Sequence, residues 1–155
     1  MIPARNRSAQ VLFAVVLIVF FMNSVKATAM SFTVRAAQVE TKTLNLIVED
    51  RVTIRFTVTG HASDELAFHI TDPHGNVIKE FGITANVNYD FVCSEEGEYK
   101  LYFSNIGSTE DKLVSLDYEI QHYIFGIPQM LFLTLIVLGI CLTAVAVFVM
   151  MGKPR

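Results

Sequence analysis

Arg51-Val52-Thr53-Ile54-Arg55-Phe56-Thr57-Val58-Thr59 alternates polar and apolar side chains without a break. In an extended chain successive side chains point to opposite faces, so Val52, Ile54, Phe56 and Val58 share one face and Arg51, Thr53, Arg55, Thr57 and Thr59 the other. A helix would scatter the same apolar residues around its circumference and gather none of them into a stripe. The stretch therefore reads as a half-buried strand, and its period recurs on both sides. Leu66, Phe68 and Ile70 keep it. So do Val87, Tyr89, Phe91 and Cys93, then Tyr99, Leu101 and Phe103, then Val114, Leu116, Tyr118 and Ile120. Residues 32–39 and 44–48 read as strands of less regular phase, and 77–81 as a short one.

Turn signals separate these runs. In Asp72-Pro73-His74-Gly75-Asn76 proline presets the backbone dihedral and glycine accepts a positive φ. Ser94-Glu95-Glu96-Gly97 and Asn105-Ile106-Gly107-Ser108 serve the same purpose. Seven or eight short strands with turns at regular spacing predict an all-β, small antiparallel β-sandwich.

The ends of the 155-residue chain are of another kind. Arg5 and Arg7 precede a 12-residue apolar run from Val11 to Met22, too short to cross a bilayer comfortably. Ala27-Thr28-Ala29 then offers a small-x-small cleavage site, so residues 1–29 read as an export signal, cleaved after Ala29 or retained as an anchor. Residues 130–151 form a second apolar block, 22 residues without a charge, preceded by Pro128 and followed by Lys153 and Arg155. That block is long enough for a transmembrane helix. Its basic flank places the tail, 152–155, in the cytosol by the positive-inside rule. The expected layout is a signal over 1–29, an extracytoplasmic sandwich over 30–122, a membrane-proximal linker over 123–129, the span over 130–151 and the tail. Tyr123 and Phe125 fall where interfacial aromatic residues settle. Within the span, Gly139 and Thr143 form a small-xxx-small pair with Ala146 beyond, a face through which two copies could associate as a homo-oligomer.

Charge is unevenly placed, and both flanks of the middle are purely basic. Residues 30–122 hold all 15 Asp and Glu but only seven of the 12 Lys and Arg, a net charge of 7 − 15 = −8. Such a domain repels phosphate backbones, which excludes nucleic acid as a partner. The two cysteines, Cys93 and Cys141, lie on opposite sides of the expected membrane boundary, so the chain is no disulfide scaffold.

The search for chemistry returns no catalytic, cofactor-binding or metal site. No nucleophile elbow occurs, and Cys93 shares the inward phase of Val87, Tyr89 and Phe91, so it reads as core. His69 and His74 flank the Asp72-Pro73 turn and, like His61 and His122, read as solvated rather than as ligands. Glu95, Glu96 and Glu98 read as a solvated acidic face. Asn6-Arg7-Ser8 is the single glycosylation triplet and lies in the signal.

Tyr89-x-Phe91, Gly97-x-Tyr99-Lys100-x-x-Phe103-Ser104-Asn105, Ser108-Thr109 and Lys112-x-Val114 follow one another between Asn88 and Ile120. Together they resemble the C-terminal half of the GOLD (Golgi dynamics) domain of the eukaryotic transmembrane cargo receptors of the early secretory pathway. Phe68-x-Ile70-x-Asp72-Pro73-x-Gly75 fits that domain's central strand and turn. The likeness implies the sandwich, the single-pass topology and a binding role, with Gly97 permitting a turn, Tyr99 and Phe103 in the core, and Asn105 closing its strand on local backbone. The chain also departs from the pattern. Tyr102 stands where the receptors carry a cysteine, no coiled coil separates Ile120 from Pro128, and Gly152-Lys153-Pro154-Arg155 carries no diphenylalanine or dilysine signal. Disulfide, coiled-coil assembly and coat binding are therefore not carried over. The expected function is a non-enzymatic, membrane-anchored module that uses no cofactor and binds an exported protein or lipid, with a role in trafficking or cargo recognition. The alternative is a small structural accessory subunit of a membrane complex.

Overall fold

The computed structural model describes residues 27–151. Most of the expected signal and all of the tail, 152–155, lie outside these residues. Eight strands build the sandwich: β1 (Ala27–Val34), β2 (Val39–Leu46), β3 (Arg51–Thr59), β4 (Leu66–Thr71), β5 (Val77–Thr84), β6 (Asn86–Val92), β7 (Gly97–Ser104) and β8 (Lys112–Gln121). Two-residue strands β9 (Tyr123–Ile124) and β10 (Ile127–Pro128) follow, then helix α1 (Gln129–Met151). One sheet has the order β1-β8-β3-β6 and the other β2-β7-β4-β5. Every pairing within them is antiparallel. Within these two sheets only β4 and β5 are consecutive neighbours, so the chain passes between the sheets at nearly every turn, as in a jelly roll.

The nine residues that decided the class form β3, central in its sheet, and Val52, Ile54, Phe56 and Val58 are all buried. They meet Leu66, Phe68 and Ile70 of β4 and Tyr99, Leu101 and Phe103 of β7 across the sandwich. Phe103 is the hub of the aromatic packing, with ring centroids 5.1 Å from Phe32, 5.2 Å from Phe56 and 4.9 Å from Phe68. A second run passes from Phe81 through Tyr89 and Phe91 to Tyr99, with successive centroids 5.2, 5.9 and 5.8 Å apart. Edge-to-face, tilted and stacked ring pairs of this kind add to the area they bury.

Four boundaries differ from those read in the sequence. The run 32–39 is not one strand: β1 ends at Val34 and β2 begins at Val39. Between them Ala37 adopts φ 56° and Gln38 N–H donates to the Arg35 carbonyl at 3.2 Å. No turn residue marks this break, because Asn105 and Asp111 from elsewhere hold it open. The run 44–48 ends at Leu46, since Ile47 and Val48 form a turn closed by Asp50. Strand β5 runs on past Phe81 to Thr84; bulges opposite β4 shift its register, and Phe81 packs on Phe68 and Tyr89. Residues 27–29, assigned to the end of the signal, pair with β8 as the start of β1. Cleavage after Ala29 would leave Met30–Val34 in that pairing, opposite Leu116–Lys112.

The Asp72-Pro73-His74-Gly75-Asn76 turn is held by its first residue. Asp72 Oδ1 accepts the His74 N–H at 2.9 Å and the Asn76 N–H at 2.7 Å, while Oδ2 accepts from Asn76 Nδ2 at 2.9 Å. These donors, the Asn76 amide foremost, hold the Asp72 carboxyl below its ordinary 3.8. Its contribution is thus present above that value and lost as acidification passes through the lower folded one. Pro73 also explains Gly97, which has φ 149°: a Cβ there would lie 2.8 Å from the proline ring. Gly97→Ala is expected to destabilise the domain by about 1–3 kcal/mol through backbone strain and overpacking, read as a lowered Tm.

Helix α1 is 23 residues long, about 34 Å at about 1.5 Å per residue. Residues Gln129–Val147 are long and apolar enough to cross a membrane. Its two hydroxyls are satisfied within the helix, Thr134 to the Met130 carbonyl and Thr143 to the Ile140 carbonyl, each at 2.8 Å.

Candidate functional site

The sandwich has two ends, and the chain enters and leaves at the same one. β1 begins there, β8 finishes there at Gln121, and Ala27 pairs with Glu119. We call this the exit end. Its centre is Asp50, which is fully buried. Asp50 Oδ1 lies 2.7 Å from His122 Nδ1, and Oδ2 accepts the Ile47 N–H at 3.0 Å. The backbone of Asp50 donates to the Ile47 carbonyl and accepts from the Cys93 N–H at 2.8 Å, while Glu49 N–H donates to the Cys93 carbonyl at 3.0 Å. Glu49 sits at φ 71°, a left-handed conformation this network holds in place. Arg51 then lays its guanidinium 4.4 Å from the centroid of the Tyr123 ring.

Sequence reasoning missed Asp50, although a signal existed. Asp50 continues the inward phase of Val52 and Ile54, as His122 continues that of Tyr118 and Ile120. Val52 pairs with Ile120, so one step further brings position 50 beside position 122. An acid and a histidine in inward registers of neighbouring strands are a readable pair. Lys112 was missed in the same way: it continues the phase of Val114 and Leu116, is buried, and donates to Ser63 Oγ at 3.0 Å and to the Glu65 carbonyl.

The residues weighed as candidates are not brought together. His69 stacks on Tyr102 on the outer face of β4 and β7, centroids 4.6 Å apart. His74 instead meets Glu95, Nε2 to Oε2 at 2.8 Å, joining two turns at the exit end. Among the described residues no group of three His, Cys, Asp or Glu is placed to hold a metal ion. Cys93 is buried, with its thiol on the Glu95 carbonyl at 2.9 Å. Tyr99 donates its hydroxyl to the same carbonyl at 3.1 Å. Burial, and after it the Cys93 thiol, push the Tyr99 phenol above its ordinary 10.0. A raised phenol favours the fold while both states are neutral, and that preference is lost as pH rises through the folded value. The Tm should therefore fall more steeply above pH 10.0 in the native protein than in Tyr99→Phe, which lacks this titration.

Asn105 corrects an expectation. Its side chain does not close on local backbone alone: Nδ2 faces the carbonyls of Val34, Arg35 and Glu110 at 3.3, 3.2 and 2.8 Å. It ties three segments together at the far end of the sandwich.

A family model for "emp24/gp25L/p24 family/GOLD" matches residues 29–128. The chain belongs to this GOLD family. Its GOLD domain is therefore a trafficking-related binding module, in a membrane-associated family of non-enzymatic cargo receptors that bind cargo and oligomerise. With α1, the chain has the layout of a single-pass membrane protein.

No curated relative matches the sequence. Among solved structures it is similar to the periplasmic g-type lysozyme inhibitor PliG of Aeromonas hydrophila, with 13% identity, TM-score 0.47, and 63% of this chain covering 89% of that one. It is also similar to the Yersinia pseudotuberculosis-derived mitogen (11% identity, TM-score 0.49, 65% and 91% covered). The Drosophila NLP-core is a third such structure (12%, 0.40, 63% and 100%). These bear on no function of the GOLD domain.

Proposed function

We propose that this protein is a single-pass cargo-binding module. Its GOLD domain is displayed on the extracytoplasmic side of a membrane, α1 spans the bilayer, and the basic tail lies in the cytosol. The observation that carries this reading is the GOLD-family sandwich followed, within six residues of Tyr123, by an apolar helix of 23 residues. Arg5 and Arg7 before the N-terminal apolar run, and Lys153 and Arg155 after α1, support the orientation. Protease added to sealed vesicles whose cytosolic face is outward should leave the domain intact until the membrane is permeabilised, and cleavage before permeabilisation would reverse the topology.

For cargo, the edge strand β5 is the favoured surface. It ends its sheet, and Val77, Ile78 and Ile83 are exposed on it, Ile83 to 74%. An unpaired edge carrying apolar side chains is suited to adding an extended segment of another protein as a further strand. The acidic domain favours a basic segment. Proximity labelling with the full chain should recover an exported protein, and Ile83→Lys should lower its recovery about tenfold, by loss of a single apolar anchor and gain of a charge. Unchanged recovery would move the binding surface away from β5.

A second reading, an accessory subunit acting through its helix, is favoured by one observation. Among the described residues a Cβ at Gly139 would meet nothing within 4 Å, so this face of α1 is open to a partner helix, and Thr143 one turn on donates within its own helix. Exchange of α1 for an unrelated apolar span separates the two readings. Activity that survives belongs to the domain, and activity that is lost belongs to the helix.

A further inference from the structure

The exit end carries apolar groups that the cargo reading does not use. Ile47, Val48 and Val92 are 45%, 51% and 60% exposed. They stand close together, because the 47–50 turn bonds to Cys93 and Arg51 pairs with Val92. Beside them is a shallow recess of about 330 Å³, lined among others by Arg51, Asp90, Phe91, Val92, Gln121 and Tyr123. Arg51 and Asp90 both lie on the outer face of this sheet, where Asp90 and Glu119 flank Thr53, two residues along β3 from Arg51. The recess thus offers the Arg51 guanidinium and the Asp90 carboxylate.

Chain connectivity decides what this end meets. From Tyr123 to Gln129, the first residue of α1, is six residue steps, a reach of at most about 21 Å. The far end is a strand's length further off, about 30 Å for the nine residues of β3. If α1 spans a bilayer, the exit end stays within about 21 Å of the start of the span, in reach of the lipid headgroups. Exposed aliphatic side chains at that depth gain by leaving water, and a tyrosine beside an arginine suits the boundary between wet and apolar layers.

The charges choose the lipid. Glu95 and Glu96 lie in the neighbouring turn, where an anionic surface would be repelled. A headgroup bearing both a phosphate and an ammonium matches the recess: the planar fork of Arg51 suits the phosphate and Asp90 the cation. We propose that the exit end of the GOLD domain docks on zwitterionic phospholipid, with Ile47, Val48 and Val92 entering the headgroup layer and one headgroup seated between Arg51 and Asp90. This rests on the reading of α1 as a membrane span, and it gives the domain a fixed orientation that leaves β5 free for cargo.

The test uses the full chain with Cys141→Ala, in which Cys93 is buried and unreactive. An environment-sensitive fluorophore is placed at Val48→Cys, or at Ile106→Cys on the far end, and the protein is reconstituted into phosphatidylcholine nanodiscs containing a spin-labelled lipid. The Val48 probe should be quenched at least about threefold more than the Ile106 probe, as an interfacial group is. Phosphatidylglycerol discs, or Arg51→Gln combined with Asp90→Asn, should lower the quenching at position 48 about twofold and leave that at position 106 unchanged. Equal quenching at positions 48 and 106 in phosphatidylcholine overturns docking. Quenching at position 48 that persists unchanged in phosphatidylglycerol, or with both side chains replaced, overturns the headgroup site. Release of the protein from membranes by alkaline carbonate is a different failure, since it removes the membrane span itself.

Discussion

Phe103→Ala is expected to cost the domain about 3–5 kcal/mol, as for other large-to-small core replacements. In a domain of about 95 residues that lowers the Tm by roughly 15–30 °C. Phe103 is fully buried and touches Phe32, Phe56 and Phe68, one ring from each of three other strands. Truncation leaves a cavity bounded on several sides by stiff aromatic groups, which relax poorly into it. Thermal melting of the full chain in detergent, followed by near-ultraviolet circular dichroism, measures the loss. A fall of less than about 1 kcal/mol, the size of an ordinary surface change, would mean that β7 faces the other way.

The second large effect belongs to Asn105. Its amide supplies the donors for three carbonyls from two separate connections, and its backbone N–H bonds to the Gln38 carbonyl at 2.9 Å. Asn105→Ala leaves those carbonyls without their donor at a buried site, a loss of about 2–4 kcal/mol. Asn105→Asp is the sharper probe. It keeps the shape but places a carboxylate oxygen against three carbonyl oxygens, so it should destabilise at least as much as alanine at neutral pH. Aspartate behaving like asparagine would show that the amide oxygen, which has no partner among the described residues, was the group that mattered.

The cargo and lipid proposals depend on different parts of the same sandwich. β5 closes one sheet, whereas the lipid recess lies at the exit end of the other. Loss of binding in Ile83→Lys with the membrane contact intact would therefore separate recognition from orientation, as would the reverse in the Arg51 and Asp90 replacements.

Local pattern along the chain settles the class of fold, the faces of its strands and the apolar helix. A period of two states which side chains leave water together, and that depends on neighbours along the chain. It placed Val52 to Val58, Leu66 to Ile70 and Tyr99 to Phe103 inward as the structure has them, and the residues around Gly97 and Asn105 carried the family likeness. Long-range packing sets where β1 and β2 part, why Gly97 must lack a Cβ, and that Asn105 reaches carbonyls from Val34 and Arg35, some 70 positions away. It also decided that a buried Asp50 meets His122 and that Ile47, Val48 and Val92 share one end with Arg51. These are contacts between segments distant in sequence. Their partners are fixed by strand register and by the order of strands in two sheets, which local periodicity does not encode.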